Sequence, residues 1–271
     1  MIELLLVNAA ILLGLVLALW LVSVRIGDVS FVDAFWGAGM ALLALASWLH
    51  VPGGPGALAT LIMAMTAAWG LRLGAYLLRR WLRHGEDPRY RRILKRDREQ
   101  GRFVQAALTK VWLGQAVLLF LVSSPAQVGI LAAGGDDTIP PLASLLVVAG
   151  VALYLVGVFF EWVGDWQLAR FKADPANEGR ILDSGLWRYT RHPNYFGDAA
   201  AWWGIWLVTA AVGWQWAALT VAGPVFLTFT LTRWSGAPLL EAGMRKKRGD
   251  AYADYVARTS AFLPWPPRSP G

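Results

Sequence analysis

The segment RYTRHPNYFGDAAAWWGIW, residues 188–206, combines anion-binding side chains with the start of an apolar helix. Arg188, Arg191 and His192 are donors suited to phosphate groups. The proline that follows can begin a helix, whose electropositive first turn carries Asn194 and Asp198 on one face. These residue types at this spacing predict a cradle for a pyrophosphate.

Behind this cradle lies an aromatic run, Trp202, Trp203 and Trp206, whose rings offer flat surfaces to a planar ligand. Tryptophan also marks membrane interfaces, and the chain has 16 of them, so a purely interfacial role is the alternative. Trp202 follows Asp198 by one helical turn, and we expect it to point into the site.

Several ionisable or polar side chains lie within apolar stretches, where they are costly and mark functional sites by default. These residues are Asp33, Arg72, Tyr76, Lys110, Glu161, Asp165 and Asp198. Interfacial ion pairs that set helix depth are the alternative interpretation. We expect the carboxylates and the arginine of this set to line one polar cavity that opens to the cytoplasm.

The elements that must position these groups are membrane helices. Of 271 residues, 56% are hydrophobic and 16% charged, and the apolar residues form runs of about twenty, the length that crosses a bilayer. The sequence predicts an all-α polytopic membrane protein with seven transmembrane helices in a single domain, residues 1–271. The spans are approximately 3–24, 29–50, 57–78, 103–125, 140–162, 195–213 and 215–234. The absence of cysteine excludes disulfides and thiolate chemistry.

The basic residues predict the orientation. They occur in the 24–28, 79–102 and 163–194 connections and in the tail 237–271, whereas the other turns hold none. By the positive-inside rule the amino terminus lies outside and the carboxyl terminus in the cytoplasm. The net charge of +7 favours anionic lipid headgroups and a phosphorylated ligand over nucleic acid. The tail is expected to lie along the membrane interface or to cap the helix bundle, and the 79–102 connection to be a solvated linker helix that binds headgroups.

The stretch DSGLWRYTRHPNYFGDAAAWWG and the tail DAYADYVARTSAFLPW resemble the steroid 5α-reductase family. The segments VDAFWG and GEDPRY are similar to those of its bacterial members. The shorter pattern RHPNY-x-G is shared with isoprenylcysteine carboxyl methyltransferases and some sterol reductases. It does not choose between their chemistries.

The resemblance implies a reductase of the bacterial inner membrane that holds NADPH and transfers hydride to the β-carbon of an enone, such as a 3-oxo-Δ4-steroid. The cofactor-binding residues that it implies are Asp165, Lys172, Arg180, Tyr189, Arg191, His192, Asn194, Asp198, Trp202 and Arg233. At three positions this chain departs from the family pattern. Lys172 stands where the family has an arginine, Glu161 where it has an asparagine and Ala237 where it has a histidine.

For the catalytic step the resemblance indicates Asp33, Trp69 and Tyr76. Asp33 falls near the family's carbonyl-polarising glutamate and Trp69 on its tyrosine. An aspartate beside Phe31 and Phe35 would be neutral through desolvation, so we expect Asp33 to donate a hydrogen bond to the substrate carbonyl. The substrate, a hydrophobic enone, would enter from the bilayer.

Two other classes of function stay open at this point. One is an S-adenosylmethionine-dependent membrane methyltransferase, which needs no phosphate cradle and whose tail presents paired glutamates, whereas this tail has Glu241 alone after APLL. The other is a transporter or lipid-binding protein, which would need broken helices around a midplane site.

Overall fold

A computed structural model describes residues 1–135, 141–234 and 236–268, with the side chain of residue 142 left out. Helices account for most of these ranges, and an isolated bridge between Thr190 and Ser260 is the strand-like pairing seen there. The helices are α1 (Ile2–Ile26), α2 (Val32–Leu49), α3 (Ala57–His84), α4 (Pro88–Glu99), α5 (Phe103–Ala106), α6 (Leu113–Val122), α7 (Ser124–Ala133), α8 (Pro141–Ala173), α9 (Pro193–Val212), α10 (Trp214–Thr220), α11 (Ala222–Phe229) and α12 (Ala237–Arg258). The prediction of an all-α chain is confirmed.

Six helical runs are long and apolar enough to cross a membrane, which supports an integral membrane protein. They are Ile2–Ile26, Val32–Leu49, Ala57–His84, Phe103–Val122, Ala143–Ala173 and Trp214–Arg258. The apolar part of the last run precedes α12, because α12 carries eight charged residues among its 22. Helix α9 is not among the six, so the structure confirms a membrane-spanning helical protein but not seven spans.

The helix boundaries differ from the predicted spans in two ways. Helices α3 and α8 continue beyond the predicted ends, to His84 and Ala173, because their polar last turns contain good helix formers and no breaker. In addition, α7 occupies part of the predicted 126–139 turn, where Pro125 sits at its first turn and residues 125–131 are buried. The remainder of that turn, from residue 136, lies outside the described residues.

The chain divides into two compact units. Unit 1 comprises residues 1–146 and 208–223, and in it α2 packs along α3, with α1, α6 and α7 against this pair. The contact of α2 with α3 is backbone against backbone, since a methyl group added at Gly37 would overlap Gly70 O and lie 2.9 Å from Gly74 N. Only glycine permits this approach.

Unit 2 comprises residues 147–207 and 224–271. It contains most of α8 and α9 and all of α12, together with the connection between α8 and α9. This connection has two 3₁₀ turns, Pro175–Asn177 and Gly185–Arg188, and includes the first residues of the RYTRHPNY segment. All ten residues predicted to bind a cofactor therefore belong to this unit.

Candidate functional site

Glycines spaced by seven residues bring α8 and α9 into contact in unit 2. On α8 they are Gly150, Gly157 and Gly164, and on α9 they are Gly197 and Gly204. A methyl group added at Gly157 would lie 2.6 Å from Gly197 O, and one at Gly204 would lie 2.6 Å from Gly150 O. Because seven residues make about two turns, these glycines share one face of each helix, and the two helices run antiparallel. We refer to this contact as the glycine seam.

The end of the glycine seam positions the first polar pair of the site. A methyl group at Gly164 would lie 3.1 Å from Pro193 Cγ and 3.2 Å from Asn194 N, so α8 packs directly on the start of α9. The next residue, Asp165, is buried and its Oδ1 accepts a 3.1 Å hydrogen bond from Asn194 Nδ2. The structure therefore brings together two residues predicted from separate segments.

Arg191 and His192, which immediately precede α9, form an ion-pair cluster with Glu241 of α12. Glu241 Oε1 accepts from Arg191 Nε at 2.9 Å and from His192 Nε2 at 3.1 Å. The side chains are 14%, 10% and 6% exposed respectively. Burial opposes ionisation of Glu241, but the hydrogen bonds from His192 and Arg191 and their charges outweigh it and hold its pKa at about 2. We call this group the Glu241 cluster.

Arg191 also fastens the segment that follows α12. Its Nη1 donates to Thr259 O at 2.8 Å, and its backbone N–H donates to Ser260 O at 2.9 Å. Thr190 Oγ1 donates to Phe262 O at 2.8 Å. Much of the donor capacity that we expected to serve a phosphate therefore holds the chain's own tail, and a direct cofactor contact by Arg191 or His192 stays a prediction.

The other predicted cofactor residues are distributed over unit 2 with different exposure. Lys172, Arg180, Tyr189 and Arg233 are exposed, Asp198 is half-buried and Trp202 is fully buried. Trp202 thus points inside, as expected. Arg233 lies in a π-helical stretch, Thr230–Trp234, a local interruption that often accompanies functional sites.

Unit 2 has a cavity of about 270 Å³ beside the tail. It is lined by Arg191, by residues 256–261 and by Trp265, Pro266 and Arg268. Asp165 and Asn194 are not in its lining.

In unit 1 the predicted catalytic residue Asp33 is held by two donors from the GEDPRY segment. Tyr90 Oη donates to Asp33 Oδ1 at 2.6 Å, and Arg89 Nη2 donates to Asp33 Oδ2 at 2.6 Å. Both oxygens of Asp33 therefore accept, as a carboxylate does. This corrects the expectation that Asp33 is a protonated donor: that expectation considered its apolar neighbours and missed a guanidinium 56 positions along the chain.

The aromatic residues near Asp33 pack on one another instead of enclosing its carboxyl group. The ring of Phe31 lies 5.2 Å from that of Trp112 and 5.5 Å from that of Trp81, and Phe35 lies 6.2 Å from Trp112. Asp33 keeps 29% of its side chain exposed.

Burial and the charge of Asp33 raise the pKa of Tyr90 well above its ordinary value, which keeps its hydroxyl protonated and donating. Burial opposes the charge of Arg89, but its hydrogen bond to Asp87 and the charges of Asp33 and Asp87 raise its pKa above the ordinary value. Asp87 caps α4 by accepting from Arg89 N at 2.9 Å. Burial likewise opposes ionisation of Asp87, yet the bonds from Arg89 lower its pKa.

A cavity of about 300 Å³ adjoins this network in unit 1. Its lining includes Asp33, Leu77 and Trp81. Two arginines also line it: Arg80 forms an ion pair with Asp87, and Arg91 forms one with Glu86. The expected single cavity lined by Asp33, Arg72, Glu161, Asp165 and Asp198 is not confirmed.

The other two predicted catalytic residues lie on α3. Trp69 is 2% exposed, and Tyr76 has the guanidinium of Arg72 5.2 Å from its ring centre. Their catalytic roles stay predictions. Lys110, one of the ionisable residues noted within apolar stretches, donates to Asp97 Oδ2 at 2.7 Å and forms an ion pair with it.

Sequence reasoning missed Arg89, Tyr90 and Glu241 as partners of the predicted residues. The sequence did carry one signal. Carboxylates within apolar stretches need charged partners, and the connections between these stretches are rich in arginine.

Comparison with known proteins corrects the resemblance to the steroid 5α-reductase family. The family model that matches residues 19–259 is described as a protein of unknown function, DUF1295. No curated protein and no solved structure matches the chain. The match covers most of the 271 residues, and the chain therefore belongs to the DUF1295 family.

Proposed function

We propose that this chain is an integral membrane reductase in which unit 2 binds NADPH and a hydrophobic enone is reduced. The observation that supports this most is the Asp165–Asn194 pair, which the glycine seam holds at the electropositive start of α9. A buried carboxylate and a half-buried amide at a helix start suit the hydroxyl and carboxamide groups of a nucleotide cofactor.

The residues of unit 2 fit such a cofactor in charge as well. NADPH carries a pyrophosphate and a further phosphate, which need cationic partners. Lys172, Arg180 and Arg233 are exposed and belong to the same unit as Asp165 and Asn194. Lys172 supplies charge to a phosphate without the bidentate fork of arginine. We propose these five residues as the cofactor-binding set.

NADPH, when bound, supplies the hydride for reduction of the carbon–carbon double bond. The chain must then stabilise the charge that develops on the substrate oxygen. In unit 1 we propose the cavity lined by Arg80 and Arg91 as a site for a carbonyl group, because both guanidinium groups are donors suited to such an oxygen. Asp33, which lines this cavity, would act by holding Arg89 and Tyr90 of α4 in place.

We also propose the finer membrane arrangement. Helix α9 has 20 residues and so measures about 30 Å, enough to cross the hydrocarbon core. Counting it with the six apolar runs gives seven spans. The basic connections then lie on the cytoplasmic side of a bacterial inner membrane, with the amino terminus outside.

Cofactor binding is tested first by NADPH fluorescence titration of the purified protein. Asn194→Ala should weaken NADPH binding about tenfold, because it removes the hydrogen-bonding partner of Asp165. Asp254→Asn, at an exposed position of α12, is the control and should bind like the wild type. Equal affinity of all three proteins would contradict the assignment of this site.

Turnover is tested with NADPH and a Δ4-3-ketosteroid as the enone, by mass spectrometry of the product. The expected product has gained one hydride and one proton. Asp33→Asn should keep NADPH affinity and lose turnover, because it weakens the hold on Arg89 and Tyr90. Methyl transfer from labelled S-adenosylmethionine, with no NADPH-dependent product, would replace the proposal by a methyltransferase.

A further inference from the structure

Helix α4 is tied by its two ends to helices that are apolar enough to cross the membrane. Three residues separate it from the end of α3 at His84, and three separate its end at Glu99 from the run that begins at Phe103. Three or four residues span at most about 15 Å, so α4 cannot leave the level of the membrane surface. This holds whichever side of the membrane it faces.

One face of α4 is fixed against unit 1. Tyr90, Leu94 and Asp97 are buried and follow the i, i+4, i+7 spacing of a single helix face. Tyr90 donates to Asp33, and Asp97 accepts from Lys110 at 2.7 Å. These contacts set the rotation of the helix about its axis, and hence which residues face outward.

The opposite face is basic. Arg92, Lys95 and Arg96 are exposed and occupy adjacent positions on the helix surface. Among the described residues, the acid that accompanies them on this face is Glu99, 3.9 Å from Lys95. Beside them Ile93 exposes 53% of its surface, so the face combines positive charge with an apolar side chain.

We propose that this face of α4, formed by Arg92, Lys95 and Arg96 with Ile93 at its margin, binds the phosphate groups of anionic phospholipids in the surrounding leaflet. The attachment of both ends to membrane helices keeps the three cations at headgroup level, where anionic lipid attracts them. Long basic side chains also extend their charge to the headgroups while their stems lie on apolar surface. The exposed Ile93 favours a bilayer over a nucleic acid, which would offer it only a polar surface.

The test compares the protein in nanodiscs of phosphatidylcholine alone with nanodiscs that also contain phosphatidylglycerol. Hydrogen exchange of the backbone amides of α4 should slow when phosphatidylglycerol is present. The triple variant R92Q/K95Q/R96Q should lose this protection, and about tenfold less phosphatidylglycerol should copurify with it. The matched control R245Q/K246Q/K247Q removes the same charge from α12 and should behave like the wild type in α4.

Equal protection in the two lipid compositions, or an equal loss in the control variant, would overturn the proposal. Protection by added oligonucleotide but not by phosphatidylglycerol would assign the face to nucleic acid instead. A salt titration of the wild type keeps the test valid if the triple variant does not fold. Protection that depends on phosphatidylglycerol should weaken between about 0.05 M and about 0.5 M salt, as exposed charges are screened; protection insensitive to salt would contradict a headgroup contact.

Discussion

Replacing Glu241 by glutamine tests whether the Glu241 cluster holds the tail of unit 2 in place. The change keeps the size of the side chain and removes its charge. In the wild type a single oxygen, Oε1, accepts from both Arg191 and His192, and the three side chains are largely buried. The variant would leave a buried guanidinium without its carboxylate, which is costly in a protein interior.

The size of the effect follows from the pKa of Glu241. Its ordinary value of 4.5 falls to about 2 in the folded protein. Since one pKa unit corresponds to about 1.36 kcal/mol, the carboxylate contributes roughly 3 kcal/mol to stability at neutral pH. A glutamine amide oxygen still accepts one hydrogen bond, so we expect Glu241→Gln to cost about 2 kcal/mol.

The dependence on pH has a definite sign. Because the pKa of Glu241 is lower in the folded than in the unfolded chain, its contribution is fully present above pH 4.5 and is lost as the pH falls towards 2. The stability difference between wild type and variant should therefore shrink over this window.

The assay is thermal unfolding in detergent, together with hydrogen exchange of residues 252–268. We expect lower stability of the variant at pH 7 and faster exchange in this segment, since Arg191 holds Thr259 and Ser260. Glu178→Gln, an exposed position in the same unit, is the control and should change neither quantity. Unaltered stability and exchange of Glu241→Gln at pH 7 would refute the reasoning.

Two further predictions concern packing and the Asp33 network. Gly204→Ala should destabilise the protein by about 1–3 kcal/mol, because its methyl group would overlap Gly150 O, whereas Gly114→Ala, with open space around it, should be neutral or slightly stabilising in the same unfolding assay. Equal effects of the two would contradict the glycine seam. Tyr90→Phe should cost about 1–3 kcal/mol through the lost hydrogen bond to Asp33, and wild-type stability of this variant would show that the bond contributes little.

A local sequence pattern predicts a structural feature correctly when that feature depends on a single segment of the chain. The apolar runs predicted where the six candidate membrane helices begin, to within about three residues, because burying a helix in lipid depends on its own composition. The burial of Trp202 followed from its spacing to Asp198 on one helix.

Pairing between distant segments was not predictable in the same way. Asp33 and Tyr90 are 57 positions apart and Arg191 and Glu241 are 50 apart, and nothing in either segment alone specifies the other. The charge of Asp33 was misjudged for this reason. Its neighbours in the chain are apolar, whereas its neighbours in space include a guanidinium.

The sequence by itself determined that this protein is helical and membrane-embedded, and which segments carry its ionisable residues. These properties depend on composition and periodicity along the chain. Only the tertiary structure decided which polar groups are paired. Arg191 pairs with Glu241 and the tail, Asp33 with Arg89 and Tyr90, and Asp165 with Asn194. The reason is that an ion pair or hydrogen bond requires contact within a few ångströms, and such contacts arise from helix packing.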